Sequence, residues 1–375
     1  MTIARTADEA LLEPEAFLAA WGKALAPEVR ALATEFVAPE ALSRRFVLGR
    51  NGEAAGLAAA LPIAGVIDDF AAGETWRGWP VIAATEAPED AIVVNCALSQ
   101  RPHAARARLV AAGVRRALNY GDLMRVAPEI APPPAFVVDM RRDLNEAEGE
   151  WRDLWAAMGD DASRATLGAL MRYHLTADPA FTREFSWNVK EQYFDPVAQV
   201  RPHGVFVDAG GYDGDTAEAM AERFSDYRRI HIFEPSARNM AAAQARLSGR
   251  RDIVFHGEGL AAAAGEALFN PANGSTSALS PSGAERIVLT TIDDAVDEPA
   301  DFIKMDIEGA EWGALQGARR QIEAHAPTLA LAVYHQACDF RRLYRFAADL
   351  RGDYRAHLRH YTEGWAETVL YMSVA

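Results

Sequence analysis

Apolar residues along this chain fall into two alternating patterns. Short runs such as Phe46-Val47-Leu48, Ile92-Val93-Val94, Val205-Phe206-Val207 and Ile230-His231-Ile232-Phe233 are bounded by glycine or polar residues and read as buried strands. Between them, as in 102–112, the apolar positions follow helical spacing. Regular alternation of the two predicts an α/β fold whose parallel sheets are covered by helices on both faces.

The pattern divides the chain into four parts. Residues 1–43 hold two helical runs, each with proline near its start, where a missing N–H costs nothing. Residues 44–130 carry strands near 45–48, 63–69, 81–83, 91–96 and 116–120, a small Rossmann-like unit. Residues 131–200 open on Pro132-Pro133-Pro134 and continue as a helical connector with Trp151, Leu154, Trp155 and Met158 on one face. Residues 201–375 carry strands at 205–208, 230–234, 252–256, 302–307 and 329–334. They close on a hairpin, 357–361 and 367–374, around Thr362-Glu363-Gly364-Trp365. A seven-stranded, mostly parallel sheet is expected there.

The sharpest local signal is Asp208-Ala209-Gly210-Gly211-Tyr212-Asp213-Gly214-Asp215-Thr216, a strand end, glycine turn and helix start. A dinucleotide fingerprint G-x-G-x-x-G would need glycine at 209, and Ala209 stands there. Asp208 would also repel a pyrophosphate approaching the helix N-terminus. A cationic ligand suits the turn better. The Asp-x-Gly-x-x-x-Gly spacing resembles the first motif of class I methyltransferases, whose cofactor carries a sulfonium and an ammonium. A second acid, Glu234 in Phe233-Glu234-Pro235, ends the next strand, where a carboxylate accepts hydrogen bonds from ribose hydroxyls. Its plain alternative is a carboxylate at a helix N-terminus, worth up to about 1 kcal/mol. One strand further, Glu258-Gly259-Leu260 would either reach an adenine or form a simple turn.

Composition narrows the partners. A formal net charge of −15 disfavours phosphate backbones and anionic lipid, so neither nucleic acid nor membrane insertion is expected. No apolar run of about 18 residues occurs, and the first residues lack a signal-peptide core, which together predict a cytoplasmic protein. Cys96 and Cys338 are far apart in apolar segments and read as buried free thiols. The lysines are only Lys23, Lys190 and Lys304, which draws attention to the one inside an apolar strand.

That strand is Phe302-Ile303-Lys304-Met305-Asp306-Ile307-Glu308-Gly309-Ala310-Glu311. Strand alternation would put Lys304, Asp306 and Glu308 on one face, and charges in a central strand are costly unless paired. Lys304 and Asp306 could form a purely structural ion pair. The fourth strand, however, ends beside the first at the switch point where ligands bind, which makes both candidates for function. His335, after the strand 329–334, is a candidate general base with a suitable ordinary pKa, or else a structural histidine. Asp306 is the rival base, or a cofactor ligand. A hard cation held by Asp306, Glu308 and a third oxygen is chemically sensible, but no spacing fixes it, and no metal ligand is assigned.

These segments, with Thr291-Ile292-Asp293-Asp294, resemble the FkbM family of S-adenosyl-L-methionine-dependent methyltransferases over about 190–375. The resemblance implies a class I methyltransferase fold and O-methylation of a hydroxyl on a sugar, glycan or related small molecule. It implies cofactor contacts from Asp208, Gly210, Gly211, Tyr212, Gly214, Asp215, Thr216, Glu234, Pro235, Glu258, Gly259, Leu260 and Asp306. It places Ser275, in Asn273-Gly274-Ser275-Thr276-Ser277, near the acceptor. Tyr193 and Glu308 are further substrate candidates; Tyr193 could also cover the cofactor, or be core, as aromatics at this periodicity usually are. His360, Tyr361 and Trp365 either line the acceptor pocket or lie on the hairpin surface. The 44–130 unit lies outside this resemblance; it looks like the N-terminal half-domain of bacterial sugar-modifying acetyltransferases. It serves either packing and a homodimer or a nucleotide-sugar site. Two other classes stay open: a non-catalytic scaffold of two nucleotide-binding folds, and a nicotinamide oxidoreductase using Gly49 to Gly56 with Asp68.

Overall fold

In the first group of strands, alternate residues face two different cores, and both are apolar. Val47, Val66 and Val94 join Phe36, Leu57 and Leu118 on one side of the sheet. Phe46, Ile67 and Val93 join Leu109 and Val114 on the other. Such continuous burial is what a parallel sheet between helix layers demands. The computed structural model describes residues 13–270, 278–279, 283 and 285–374. The chain divides into two compact units. The first runs to Arg152 and adds Ala165–Val189 and His360–Glu367; the second takes Asp153–Arg164, Lys190–Arg359 and the segment from Thr368.

In the first unit, strands β1 (Arg45–Leu48), β2 (Gly65–Ile67), β3 (Thr75–Trp76), β4 (Trp79–Ile82), β5 (Ile92–Asn95) and β6 (Ala117–Asn119) form one sheet in the order β3-β4-β2-β1-β5-β6. Strands β1, β2, β4, β5 and β6 pair in parallel, and the short β3 is antiparallel to β4. Arg45 is buried in β1, yet its guanidinium donates to the carbonyls of Phe36, Pro62 and Ala38 at 2.6–2.8 Å, so the charge is solvated by backbone. Helices Pro14–Lys23 and Pro27–Val37 precede the sheet. Glu148–Ala157 and Asp161–Thr176 are helical, as the periodicity of 146–193 implies, whereas 177–193 forms short 3-10 turns at Pro179–Thr182 and Val189–Glu191; Ala135–Glu146 is a further helix before them.

The second unit holds β7 (Val205–Ala209), β8 (Arg229–Phe233), β9 (Ile253–His256), β10 (Gly259–Leu260), β11 (Gly265–Asn270), β12 (Ala278–Leu279), β13 (Glu285–Thr290), β14 (Phe302–Met305), β15 (Thr328–Ala332), β16 (Tyr354–His360) and β17 (Thr368–Val374). Seven of them form the main sheet, β16-β17-β15-β14-β7-β8-β9, parallel from β15 to β9, with β17 antiparallel to β15. This is the seven-stranded, mostly parallel class I methyltransferase arrangement expected from sequence. Every residue of β7 and β14 is buried, whereas β9, at the edge, is half-exposed throughout.

Two features depart from the expectations. The strands β10, β13, β11 and β12 form a separate four-stranded sheet that sequence periodicity did not indicate. Its longer strands are largely exposed, and their short apolar runs, Ala267-Leu268-Phe269 and Ile287-Val288-Leu289, were passed over. The charged strand also ends early. β14 stops at Met305, and Glu308 (φ +56°) and Gly309 (φ +94°) turn the chain out of the sheet. Asp306 and Glu308 therefore do not share a strand face with Lys304. Of the two thiols, Cys96 is buried and Cys338 only half-buried. Among the described residues, no helix is long and apolar enough to cross a membrane.

Candidate functional site

In the second unit the strand order reverses between β7 and β14, the place where doubly wound sheets open a crevice at their C-terminal ends. Acids stand at three adjacent strand ends: Asp208 in β7, Glu234 after β8 and Asp306 after β14. The glycine turn after β7 is shaped first by the protein itself. Gly210 has φ +86°, and a methyl group there would fall on the carbonyl oxygen of Asp306. One at Gly211 would strike Ile232, and one at Gly214 would come within 3.1 Å of the Ala243 backbone. The glycines thus let strand end, turn and neighbouring elements close on one another.

Closure consumes the turn's donors. The N–H groups of Gly210 and Gly211 both donate to the Phe233 carbonyl at 3.0 Å. Tyr212, itself at φ +44°, donates its N–H to Glu234 Oε2 at 3.0 Å, and Ser236 N–H donates to Glu234 Oε1 at 2.8 Å. Successive turn N–H groups that would cradle a pyrophosphate are already engaged, and Asp215 adds negative charge in the first turn of helix Asp215–Arg223. Thr216 donates its N–H to Asp215 Oδ1 at 2.7 Å. Burial lifts the Glu234 pKa above the usual carboxyl range against the pull of those N–H groups. The remaining lone pairs of its carboxylate can accept further donors.

Lys304 settles a different pairing from the one expected. Its ammonium donates to Asp208 Oδ1 at 2.9 Å and to the Gly210 carbonyl at 2.7 Å, with both side chains buried, so its partner is Asp208 and not Asp306. The physical reason is register: Lys304 lies directly beside Asp208 in the β14–β7 pair, while Asp306 has left the strand. Burial opposes the charge on Lys304, but Asp208 and Asp306 outweigh it and raise the lysine's pKa, which keeps the shared proton on nitrogen. Asp208 is fully buried, so it shapes the turn from beneath; Glu234 is also buried, and of the three strand-end acids Asp306 is the half-exposed one.

Asp306 is half-exposed and well furnished with donors. Tyr193 donates its hydroxyl to Oδ2 at 2.6 Å, and the Tyr334 hydroxyl lies 3.3 Å from Oδ1. Tyr193 itself is buried at φ +72°, fixed by its N–H on the Tyr371 hydroxyl at 2.9 Å, and its ring lies 5.3 Å from the Lys304 ammonium. It is both a core residue and a direct neighbour of the site, which joins the two alternatives left open above.

His335 sits among three carboxylates. Nδ1 is 3.0 Å from Glu311, and Nε2 is 3.6 Å from both Asp306 and Glu308. Burial opposes the charged ring, but Glu311, Asp306 and Glu308 overcome it and raise its pKa to about 10. The imidazole therefore already holds a proton at neutral pH, which works against its expected role as a base. Glu311 is fully buried; its Oε1 accepts the Ile307 N–H at 2.8 Å. Behind it, burial pushes the Asp339 carboxyl up to about 7 despite its Arg342 partner at 2.6 Å. Sequence reasoning passed over Tyr334, Asp339 and the inward turn of Glu311, although Tyr334 adjoins His335 and Glu311 closes the charged motif.

Other expected contacts fall as follows. Pro235 and Glu258 line a cleft of about 440 Å³ with Gly257, Arg286, Ile287 and Val288. Gly259 and Leu260 are buried in β10, paired with β13, so of that trio only Glu258 faces the cleft. Ser275 lies outside the described residues. His360, Tyr361 and Trp365 pack within the first unit. His360 meets the Phe185 ring edge-on at 4.7 Å, Trp365 stacks on Phe136 at 5.8 Å, and buried Tyr361 accepts the Asn188 N–H at 2.9 Å. Tyr361 is buried there, and His360 and Trp365 are half-buried against these rings.

Comparison with known proteins fits this geometry. Residues 208–363 match the family described as the methyltransferase FkbM domain. The crystal structure of methyltransferase FkbM from Methylobacillus flagellatus KT is similar over 99% of this chain and 98% of that one, at 25% identity and a TM-score of 0.73. The similarity therefore extends through the 44–130 unit, beyond the residues on which the sequence resemblance rested. An rRNA methylase from Streptococcus thermophilus matches 48% of this chain and 90% of its own at 17% identity and a TM-score of 0.33. A methyltransferase from Streptococcus mutans, in complex with SAH, matches 50% and 98% at 12% identity and a TM-score of 0.34. No curated protein matches the chain.

Proposed function

We propose, from the match of residues 208–363 to the methyltransferase FkbM domain and the similarity to an FkbM methyltransferase structure, that the chain is a methyltransferase of that family and moves the methyl group of S-adenosyl-L-methionine to a hydroxyl of a sugar, glycan or related small molecule. The observation that carries the reading is the acidic, donor-poor turn: Glu234 and Asp306 at the strand ends on either side of it, and the Gly210, Gly211 and Tyr212 N–H groups engaged. Such a turn repels phosphates and favours a ligand with a sulfonium and an ammonium. In this reading Glu234 takes the ribose hydroxyls, the cleft beside Pro235 and Glu258 takes the adenine, and Asp306 faces the methionine end.

Methyl transfer from a sulfonium is an in-line displacement. The acceptor oxygen bonds to the methyl carbon as the carbon–sulfur bond breaks, and neutral S-adenosylhomocysteine leaves with the electron pair. Alignment supplies much of the rate. The hydroxyl proton passes to the carboxylates around Asp306, because His335 already holds one and serves as a donor that orients the acceptor. The Tyr193 and Tyr334 hydroxyls hold the Asp306 carboxylate in place for this.

Calorimetry with S-adenosylhomocysteine tests the donor. One molecule per chain is expected, and Glu234→Ala should weaken it by about tenfold or more, the worth of a lost charged hydrogen bond. No binding, or unchanged binding by Glu234→Ala, overturns the reading. Labelled S-adenosyl-L-methionine offered with fractionated glycans tests the acceptor.

A further inference from the structure

Asp306, Glu311 and His335 each offer one ligand atom, and these three atoms lie within 4.8 Å of one another. They come from consecutive strand ends: Asp306 and Glu311 follow β14, and His335 follows β15. Clustered acids alone mean little, since solvated carboxylates gather on many surfaces. Glu311 is different. It is fully buried, and its Oε2 accepts no hydrogen bond from any described residue, while Oε1 is fixed by the Ile307 N–H at 2.8 Å. A buried carboxylate oxygen without a donor costs free energy unless something positive is supplied to it.

We propose that Asp306, Glu311 and His335 form a binding site for a divalent first-row cation such as Mn²⁺. Two carboxylates and an imidazole are a mixed oxygen and nitrogen donor set, suited to Mn²⁺ or Zn²⁺ better than to the all-oxygen preference of Ca²⁺. Three protein ligands leave positions open on the ion, the arrangement of a working and not merely structural site. Glu308, 3.6 Å from His335 Nε2, stands close enough to add a fourth oxygen or to take a proton. The imidazole binds such an ion in its neutral form, so the ion replaces the proton that His335 otherwise carries and takes over from it the orienting of the acceptor oxygen; Asp339 lies behind Glu311.

The role of the ion rests on the methyl-transfer reading above. An acceptor hydroxyl in an open position of the ion becomes more acidic, its proton goes to Glu308, and the resulting oxygen attacks the methyl carbon while the thioether leaves. A vicinal diol or hydroxy-acid acceptor, which offers two oxygens to one ion, is the substrate class this favours.

The test is a Mn²⁺ titration of the full chain, followed by the electron-spin signal of free Mn²⁺ and by calorimetry, with no methyl donor present. One ion per chain is expected, displaced by Zn²⁺. Glu311→Gln and Asp306→Asn should each weaken it by about tenfold or more, while Glu218→Gln, a surface acid paired with Arg246, leaves it unchanged. Thermal melting shows whether the variants fold, and Asp306→Asn, at a half-exposed position, decides the matter if Glu311→Gln does not. Absence of Mn²⁺ binding at millimolar concentration, or equal binding by the folded variants, overturns the site. S-adenosylhomocysteine titrated in parallel reports on the donor separately: if it fails to bind where Mn²⁺ binds, the cation site stands and the donor assignment falls.

Discussion

Two glycine turns in this chain follow the first strand of a parallel sheet, and only one of them has the makings of a site. In the first unit Gly49 (φ +102°) leads into Arg50 and Asn51. Arg50 reaches across to Asp68 at 2.8 Å and Glu74 at 3.1 Å, so the acid after β2 is neutralised by the turn's own side chain. Asn51 caps helix Gly52–Ala60 through the Ala54 N–H at 2.9 Å and bonds the Cys96 carbonyl just after β5. The crevice between β1 and β5 is thus filled from within. In the second unit Gly211 stands where Arg50 would be, Glu234 is held by backbone N–H groups that leave its charge uncancelled, and Asp306 faces outward with tyrosines and a histidine around it. The same topology carries a closed turn and an open one, and the difference lies in a few side chains. It also weighs against a nicotinamide site in the first unit, where Asp68 would have to give up Arg50 to accept a ribose.

The largest expected effect that tests this contrast is at Gly210. Alanine there must enter the space of the Asp306 carbonyl at φ +86°, so Gly210→Ala should lose S-adenosylhomocysteine binding altogether and about 3 kcal/mol or more of stability in urea unfolding. Gly49→Ala meets nothing closer than 3.9 Å and should cost only the left-handed conformation, about 1–2 kcal/mol, with ligand affinity intact. Equal effects at the two glycines would erase the distinction between the turns.

Next comes the ion pair beneath the open turn. Lys304→Met strands Asp208 in the interior, and breaking a buried pair from one side costs about 3–5 kcal/mol. Lys304→Met with Asp208→Leu should recover much of that loss, because two apolar groups leave no charge stranded. On the closed turn, Arg50→Met should cost about 1 kcal/mol or less, since that pair is partly exposed and no charge is left in the interior.

A smaller effect separates the units by pH. Burial holds His174 down to about 4 and His360 down to about 3, both in the first unit. The unfolded chain then binds more protons than the folded one below the ordinary value of 6.5. Their contribution is complete above pH 6.5 and lost as pH falls toward 4, by about 2 kcal/mol each at pH 5. Urea unfolding of wild type and His174→Gln at pH 7.5 and 5 measures this, and a variant with the same pH dependence as wild type would reject it.

Much of this was legible in the chain. The seven-stranded, mostly parallel sheet followed from alternating apolar runs, and the places of Glu234 and the glycine turn at strand ends followed from residue types there. What escaped was side-chain direction. Strand alternation assigned Lys304 to Asp306, but Glu308 and Gly309 adopt left-handed turns that no periodicity marks, so the lysine meets Asp208 instead. His335 looked like a base because its ordinary pKa suits one; the three carboxylates that oppose this converge only after folding. The four-stranded sheet was missed although β11 and β13 carry the short apolar runs Ala267-Leu268-Phe269 and Ile287-Val288-Leu289, because both strands are largely exposed and lie outside the pattern of buried strands alternating with helices.

The smallest effect bears most directly on whether the first turn is merely structural. Asn51 does two things at once: its Oδ1 satisfies a donor at the helix N-terminus, and its Nδ2 ties the turn to the Cys96 carbonyl. Asn51→Ala should cost about 1 kcal/mol, the ordinary worth of a cap. Asn51→Asp keeps the acceptor but sets a carboxylate against the Cys96 carbonyl, so it should recover the cap and forfeit the tie, falling between alanine and wild type. Neither change should alter S-adenosylhomocysteine affinity, because the groups that Asn51 binds belong to the first unit's own backbone. If either substitution shifted that affinity severalfold in calorimetry while stability moved by no more than a cap's worth, the closed turn would have to be counted among the parts that serve the open one.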